Sequence, residues 1–318
     1  ILSVHAEDKI TLKLNLKQND AYRVTIPMKM PTDISIELDA AKMKKLFSDA
    51  LGMQDSAAAV EDTKDTAVSS KTEKVSMNMN MEISMIFKVV NVGKDDYKLE
   101  AYYEYLESGI DTKDESVFYS TRKKDNKLNK EQEDEFKTVK SAIGKKFFII
   151  ISDKGVLKEI IGYEKVISGF KKEAGNPFGK KESVMIKQLN KADMSNTIRG
   201  IFDVLPERPV KRGDTWSKEY LVEDEAMPYT IRTKYTLKAI NATDYDILSE
   251  SIFFSDAMKQ QMAKVSGQGK GDIKLFNADN FQQIQPYSMD MFIDMDFLGM
   301  LMKTDSKVTG TYKVEKIQ

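Results

Sequence analysis

The chain has 318 residues, with 49 basic and 50 acidic side chains, a formal net charge of −1, one histidine and no cysteine. This length allows two domains or one large duplicated one, and the charge balance leaves no whole-chain field to attract nucleic acid or an anionic membrane. Without cysteine there are no disulfides, thiol nucleophiles or thiolate metal sites. With only His5, histidine triads and histidine-ligated zinc are excluded too. No apolar run approaches the roughly 18 residues that a membrane-spanning helix needs.

In chain order, Ile1-Leu2-Ser3-Val4-His5-Ala6 ends in a Val-x-Ala pattern followed by Glu7-Asp8. This resembles the tail of a secretory signal peptide, so residues 1–6 are expected to be a signal remnant and the protein to be exported. Ile10 to Leu16 alternates apolar and polar residues and predicts a half-buried strand, reversed at Asn19 into a strand from Tyr22 to Met30. Ile36 to Leu51 has helical spacing, and residues 52–73 read as a mobile loop. Val75 to Phe87 alternates over a long span and returns at Gly93-Lys94-Asp95 as Tyr97 to Leu106. Val117 to Arg122 predicts a strand and Lys130 to Ile143 an amphipathic helix. A hairpin follows, Lys146 to Ser152 and Gly155 to Ile161. Helices are expected over Glu164 to Ala174 and Glu182 to Phe202. Strands are expected over Trp216 to Val222, Tyr229 to Ile240 and Tyr245 to Phe254. A short helix, Ser255 to Val265, and a glycine run, Gly267 to Gly271, precede strands at Tyr287 to Phe297 and Ser306 to Ile317.

Three blocks recur. Lys17–Tyr22 matches Lys211–Trp216 at an offset of 194, with Asn19 in the place of Gly213. Phe87–Asn91 matches Leu237–Asn241 at an offset of 150, and Asp96-Tyr97 matches Asp244-Tyr245 at 148. Ile149–Tyr163 aligns without gaps on Ile273–Tyr287 at an offset of 124. The order is kept and the offset only falls, which points to an internal duplication with insertions in the first copy. The expected organisation is a first β-rich repeat over 7–168, a helical connector over 169–203 and a second repeat over 204–318. The fold class is α+β, mostly antiparallel β. Duplicated three-hairpin units form two curved sheets or one large one, with a few covering or connecting helices.

Chemistry is sparse. Asp290, Asp294 and Asp296 share a strand face, which either offers oxygens to a hard cation or is a solvated outer face. The opposite face carries Met289, Met291 and Met295, and the strand at Val75 carries Met77, Met79, Met81 and Met85. These are seven of the chain's 18 methionines on two strand faces. Methionine is flexible and polarizable, so such stripes serve either as plain core or as a deformable surface for an apolar ligand. On the second reading the ligand-contacting residues are Met77, Met79, Met81, Met289, Met291 and Met295. Gly267-x-Gly269-x-Gly271 lacks the downstream helix of a phosphate loop. The Lys123–Lys127 and Lys180-Lys181 runs lie beside acidic residues and read as solvated loops.

The stretch Leu205-Pro-x-x-Pro209-Val-x-x-Gly213-Asp-x-Trp216, the Asp153-x-Gly155-x-Leu157 hairpin and the opening Leu12–Tyr22 segment together resemble a family of uncharacterised, exported, β-rich proteins of Gram-negative bacteria, a domain of unknown function. The resemblance implies export and a β-rich fold, and it transfers no catalytic residue. The function expected is that of a non-enzymatic periplasmic or cell-envelope protein binding an apolar small molecule or lipid, with no cofactor, metal, nucleic-acid partner or transmembrane segment. The alternatives are an interaction protein for an envelope partner and a carboxylate-dependent hydrolase.

Overall fold

The computed structural model describes residues 8–38, 71–113, 116–123, 126, 128, 130–167, 191–222, 228–255, 263–297 and 300–318. The strands are β1 (Ala21–Leu38), β2 (Lys71–Val92), β3 (Asp96–Thr112), β4 (Ser116–Ser120), β5 (Phe147–Ser152), β6 (Leu157–Ile161), β7 (Thr215–Val222), β8 (Tyr229–Ile240), β9 (Asp244–Phe254), β10 (Ala263–Phe276), β11 (Gln283–Phe297) and β12 (Met300–Lys316). The helices are α1 (Lys130–Ala142) and α2 (Lys191–Phe202), and residues 164–167 are helical too. All twelve strands form one antiparallel sheet in the order β6-β5-β3-β2-β1-β12-β11-β10-β9-β8-β7, with β4 beside β3. The mostly antiparallel α+β fold is therefore one open, curved sheet rather than two.

The turn before β1 and the turn before β7 make the same bonds. The Lys17 N–H donates to the Asp20 carboxylate at 3.1 Å, and the Lys211 N–H to Asp214 at 3.1 Å. Asn19 and Gly213 hold φ at 73° and 85°. Their N–H groups donate to the Val89 carbonyl at 2.9 Å and the Leu237 carbonyl at 2.8 Å. Pairing then slips by one residue between Val89 and Asn91 and between Leu237 and Ala239. These bonds align Val89 with Leu237, an offset of 148 rather than the 150 of the sequence match. Beyond them Ile149 pairs with Leu99 and Ile273 with Ile247, at the expected offset of 124. The gapless match stops at the next turn. The Ser152 N–H reaches the Val156 carbonyl, whereas the Phe276 N–H reaches Gln282, so the second turn is two residues longer. Because Asn19 sits at positive φ, Asn19→Ala should cost about 1 kcal/mol in urea unfolding, whereas Asn19→Gly should hold or raise stability.

α2 packs against β6 and β7, the two ends of the strand order. Eleven strands laid flat would span roughly 48 Å at about 4.8 Å per strand. One helix touching both ends means that the sheet rolls around it, and the face toward α2 is concave. Phe202 of α2 stacks on Phe281 with centroids 4.6 Å apart and meets Phe87 edge-on at 5.5 Å. Around it Tyr22, Leu99, Ile149, Leu237, Ile273 and Val314 close the core from the sheet. The proline-rich turn is tied in by Trp216, whose Nε1–H donates to the Val204 carbonyl at 2.8 Å.

Three expectations are corrected. Residues 10–16 are not a strand of the sheet and form no hairpin with β1. They are an extended strap that exchanges bonds with Val210 at Ile10 and donates from Leu14 to the Asp153 carbonyl and from Asn15 to the Asp279 carbonyl. Leu12, Leu14 and Leu16 alternate because one side of the strap faces the core. The helix expected over 255–265 is contradicted at its end, where Ala263 begins β10, and the glycines 267–271 lie inside that strand. The helix expected from Ile36 is contradicted at its start, since β1 continues to Leu38. Of the helices expected over 164–174 and 182–202, residues 164–167 and Lys191–Phe202 are helical, and residues 168–174 and 182–190 lie outside the described residues, as do residues 39–70 and the 1–6 segment with His5.

On the sheet's other face, Arg23 donates to both oxygens of Glu104 at 2.8 Å, and Ser84 donates to Glu104 at 2.8 Å. The Arg23 hydrogen bond, ahead of the opposing burial, holds the Glu104 carboxyl below its ordinary range. A carboxyl depressed in the folded state stabilises fully above its unfolded pKa, about 4.5, and that contribution is lost as pH falls through the lower folded value. Arg23→Gln should therefore flatten the fall of stability with pH below about 4.5, as read by urea midpoints between pH 6 and 3.

Candidate functional site: an uncharged concave face

The two methionine stripes lie on strands more than 180 residues apart in sequence, yet the sheet places β2 and β11 three steps apart, with β1 and β12 between. Pairing registers put both stripes on one face. One row across the sheet runs Thr112, Met77, Thr32, Ser306, Met291, Gly267, Phe253, Ile231, Tyr220. The next runs Ile110, Met79 and Met30 on β3, β2 and β1, and Val308, Met289 and Gly269 on β12, β11 and β10. A third brings Met295 beside Met302, with Ile36 and then Glu73 beyond, so charge returns at this outer rim. This is the face that carries Tyr22, Phe87 and Val314 around α2, so the stripes line the outer half of the concave side.

All six candidate methionines thus share one surface. Met79 and Met81 are 9% and 8% exposed, whereas Met77, Met289, Met291 and Met295 are half-buried. The rows through Met77 and Met79 carry no charged side chain from β3 to β8. Their hydroxyls pair with each other, Thr32 with Ser306 at 3.0 Å and Thr233 with Ser251 at 2.8 Å. On β7 the Lys218 ammonium faces inward but is bound to Asp203 at 2.9 Å and Glu207 at 2.8 Å.

Sequence reasoning missed Met28, Met30, Met302, Phe253 and the glycine strip. Met28 and Met30 lay within a predicted strand, but which face they shared with Met79 and Met81 depends on pairing with β2. The glycines divide by role. A Cβ on Gly267 would stand 2.4 Å from the Asp290 carbonyl oxygen, so that glycine is needed for the close passage of β11. A Cβ on Gly269 would meet nothing nearer than Phe253 at 3.4 Å, so the backbone tolerates a side chain there and its absence leaves a bare track beside Met289. Tyr287 marks the inner limit. Its hydroxyl donates across Gly310 to the Pro27 carbonyl at 2.8 Å, and burial pushes its pKa up to about 12.

The acidic stripe faces the other way. Asp290 stands opposite Lys307, and Asp294 opposite Lys303 and Lys264. Among the described residues no group of three or more His, Cys, Asp or Glu side chains is placed to hold a metal ion. Among the described residues every carboxyl with a displaced pKa, including Asp20, Glu107, Asp244 and Glu315, is displaced downward. In each, hydrogen bonds and nearby cations outweigh burial. No described helix is long and apolar enough to cross a membrane.

The fold and this face define a β-rich protein built as one rolled antiparallel sheet with an apolar inner surface. Residues 94–281, more than half of the chain, match the model of DUF6263, a family of unknown function, and the chain belongs to that family. The match includes the Asp153–Leu157 hairpin and the Leu205–Trp216 turn, and it leaves out Leu12–Tyr22. No curated protein matches. Among solved structures, one reported for lipid–protein interactions in lipovitellin is similar with a TM-score of 0.38 and 8% identity. The similarity covers 96% of this chain and 26% of that one, so this chain spans about a quarter of its length. A likeness this low does not bear on function.

Proposed function

We propose that the protein is a non-enzymatic protein of the cell envelope that holds an apolar ligand, an acyl lipid, on its concave face. One observation carries this reading: two methionine stripes from distant parts of the chain meet on a single surface, uncharged through the Met77 and Met79 rows, beside a bare glycine track. A core that served only packing would close such a surface with interlocking side chains. Flexible thioethers next to glycine instead suit a surface that moulds to its occupant. Export rests on the Val4-x-Ala6 pattern. The matching turns and slips of β1–β2–β3 and β7–β8–β9 support descent of the two halves from one copied unit.

The test is titration of the purified full chain with a fluorescent fatty acid. The expected result is saturable emission enhancement with one or a few sites, competed by unlabelled fatty acid. No enhancement with fatty acids or with phospholipids would remove the ligand reading and leave a protein partner as the occupant to seek.

A further inference from the structure

Where the sheet's two edges approach over α2 there is a cleft of about 490 Å³. Its walls are Val156 and Leu157 from the β6 edge, Glu219, Tyr220 and Leu221 from β7, Ser195, Asn196 and Arg199 from α2, and Asp203 just after it. The acidic groups here face cations, Glu219 with Arg232 at 2.6 Å and Asp203 with Lys218 at 2.9 Å, and the Asp203 Oδ1 is held by charge, with no hydrogen bond. Two donors have no such partner among the described residues. The Asn196 side-chain amide nitrogen is buried without a hydrogen-bond partner. The Arg199 guanidinium makes no ion pair with any described residue. A buried amide donor left unmade is costly, and an arginine fork beside it suits a planar or tetrahedral oxyanion.

The cleft is also joined to the concave face. Tyr220 lines it, and Tyr220 opens the row that passes through Ile231, Phe253 and Gly267 to Met291. Arg199 lies close enough to Tyr220 for its charge to oppose the burial that pushes the tyrosine up to about 12. From Tyr220 to Gly267 is three strand steps, roughly 14 Å. One leaflet's share of a bilayer's hydrocarbon core is about 15 Å. A chain that starts at the cleft would therefore end on the glycine strip beside Met291.

We infer that the Arg199–Asn196 cleft binds the anionic headgroup, a carboxylate or phosphate, of an amphiphile whose acyl tail lies along the row from Tyr220 to Met291. This rests on the reading of the concave face as an acyl surface, and it adds headgroup charge as the property selected.

The experiment is equilibrium dialysis of the full chain with labelled palmitate, methyl palmitate and inorganic phosphate, repeated on Arg199→Gln. Arg199 has no ion-pair partner to lose among the described residues, so the variant should melt with the wild type. The expected result is palmitate held at least about tenfold more tightly than its ester, the tenfold lost in Arg199→Gln, and the ester unchanged by the substitution. Equal binding of acid and ester, insensitive to Arg199, would overturn the headgroup site and leave the acyl surface standing. Arg199-dependent phosphate binding without palmitate binding would make the cleft a site for a free anion and overturn the amphiphile. Binding of none of the three would overturn both readings.

Discussion

Met291→Asp is expected to lower affinity for an acyl ligand by about 100-fold or more, while Phe292→Ser, one residue along, leaves affinity unchanged. Met291 sits mid-row between Gly267 and Ser306 on the concave face, and Phe292 points to the convex side, 43% exposed. Removing a thioether contact forfeits about 1.5–3 kcal/mol of apolar burial. A carboxylate facing an acyl chain with no cation in its row must also be desolvated or protonated. Together these reach about 3 kcal/mol, and each 1.4 kcal/mol is tenfold. The adjacent pair is the sharp part of the test, because both substitutions lie on the same strand and differ in sidedness. Saturation curves with the fluorescent fatty acid read it directly. Equal losses from the two variants would mean that β11 matters through stability and not through its inner face.

Gly155→Ala is expected to destabilise the fold by about 4 kcal/mol or more, and Gly162→Ala by only about 1–2 kcal/mol. Both glycines hold φ at 80°, so both carry the cost of a side chain in the left-handed region. They differ in what a Cβ would meet. At Gly162 nothing lies within 4 Å, whereas at Gly155 the Cβ would sit 1.9 Å from the Phe202 carbonyl oxygen. That contact cannot be relieved by a rotamer change. It must push the end of α2 off the β5–β6 turn, and Phe202 is the ring that joins Phe281 to Phe87 at the centre of the core. Guanidinium unfolding midpoints of the two variants separate the shared backbone cost from the collision.

How far the chain could be read without its structure depended on whether a pattern was local. The β2 stripe Met77-Met79-Met81 and the β11 stripe Met289-Met291-Met295 were legible as faces, because side chains alternate along any strand. That the two faces are one surface was not legible. It follows from β12 pairing with both β1 and β11, a contact between the chain's last strand and its first. The turns at Asn19 and Gly213 could be matched because each is defined within four residues by an aspartate and a residue tolerant of positive φ. The one-residue slips at Val90 and Lys238 could not, since a bulge shows only against its partner strand. Residues 10–16 show the converse error. Alternation reports which side is buried, and Leu12, Leu14 and Leu16 are buried on a strap that pairs with no sheet strand. The glycines of β10 give no strand pattern in the sequence, because glycine weakens strands. They are retained in this strand where β11 passes too close for a Cβ, at Gly267, and at Gly269 where the bare track remains.

The most direct test of an acyl-holding concave face is native mass spectrometry of the protein exported to a bacterial periplasm and purified without detergent. The account predicts a reproducible mass excess that organic extraction releases as lipid and that the Met291→Asp variant lacks. A bare polypeptide mass, unchanged after incubation with fatty acids and envelope lipids, would contradict it.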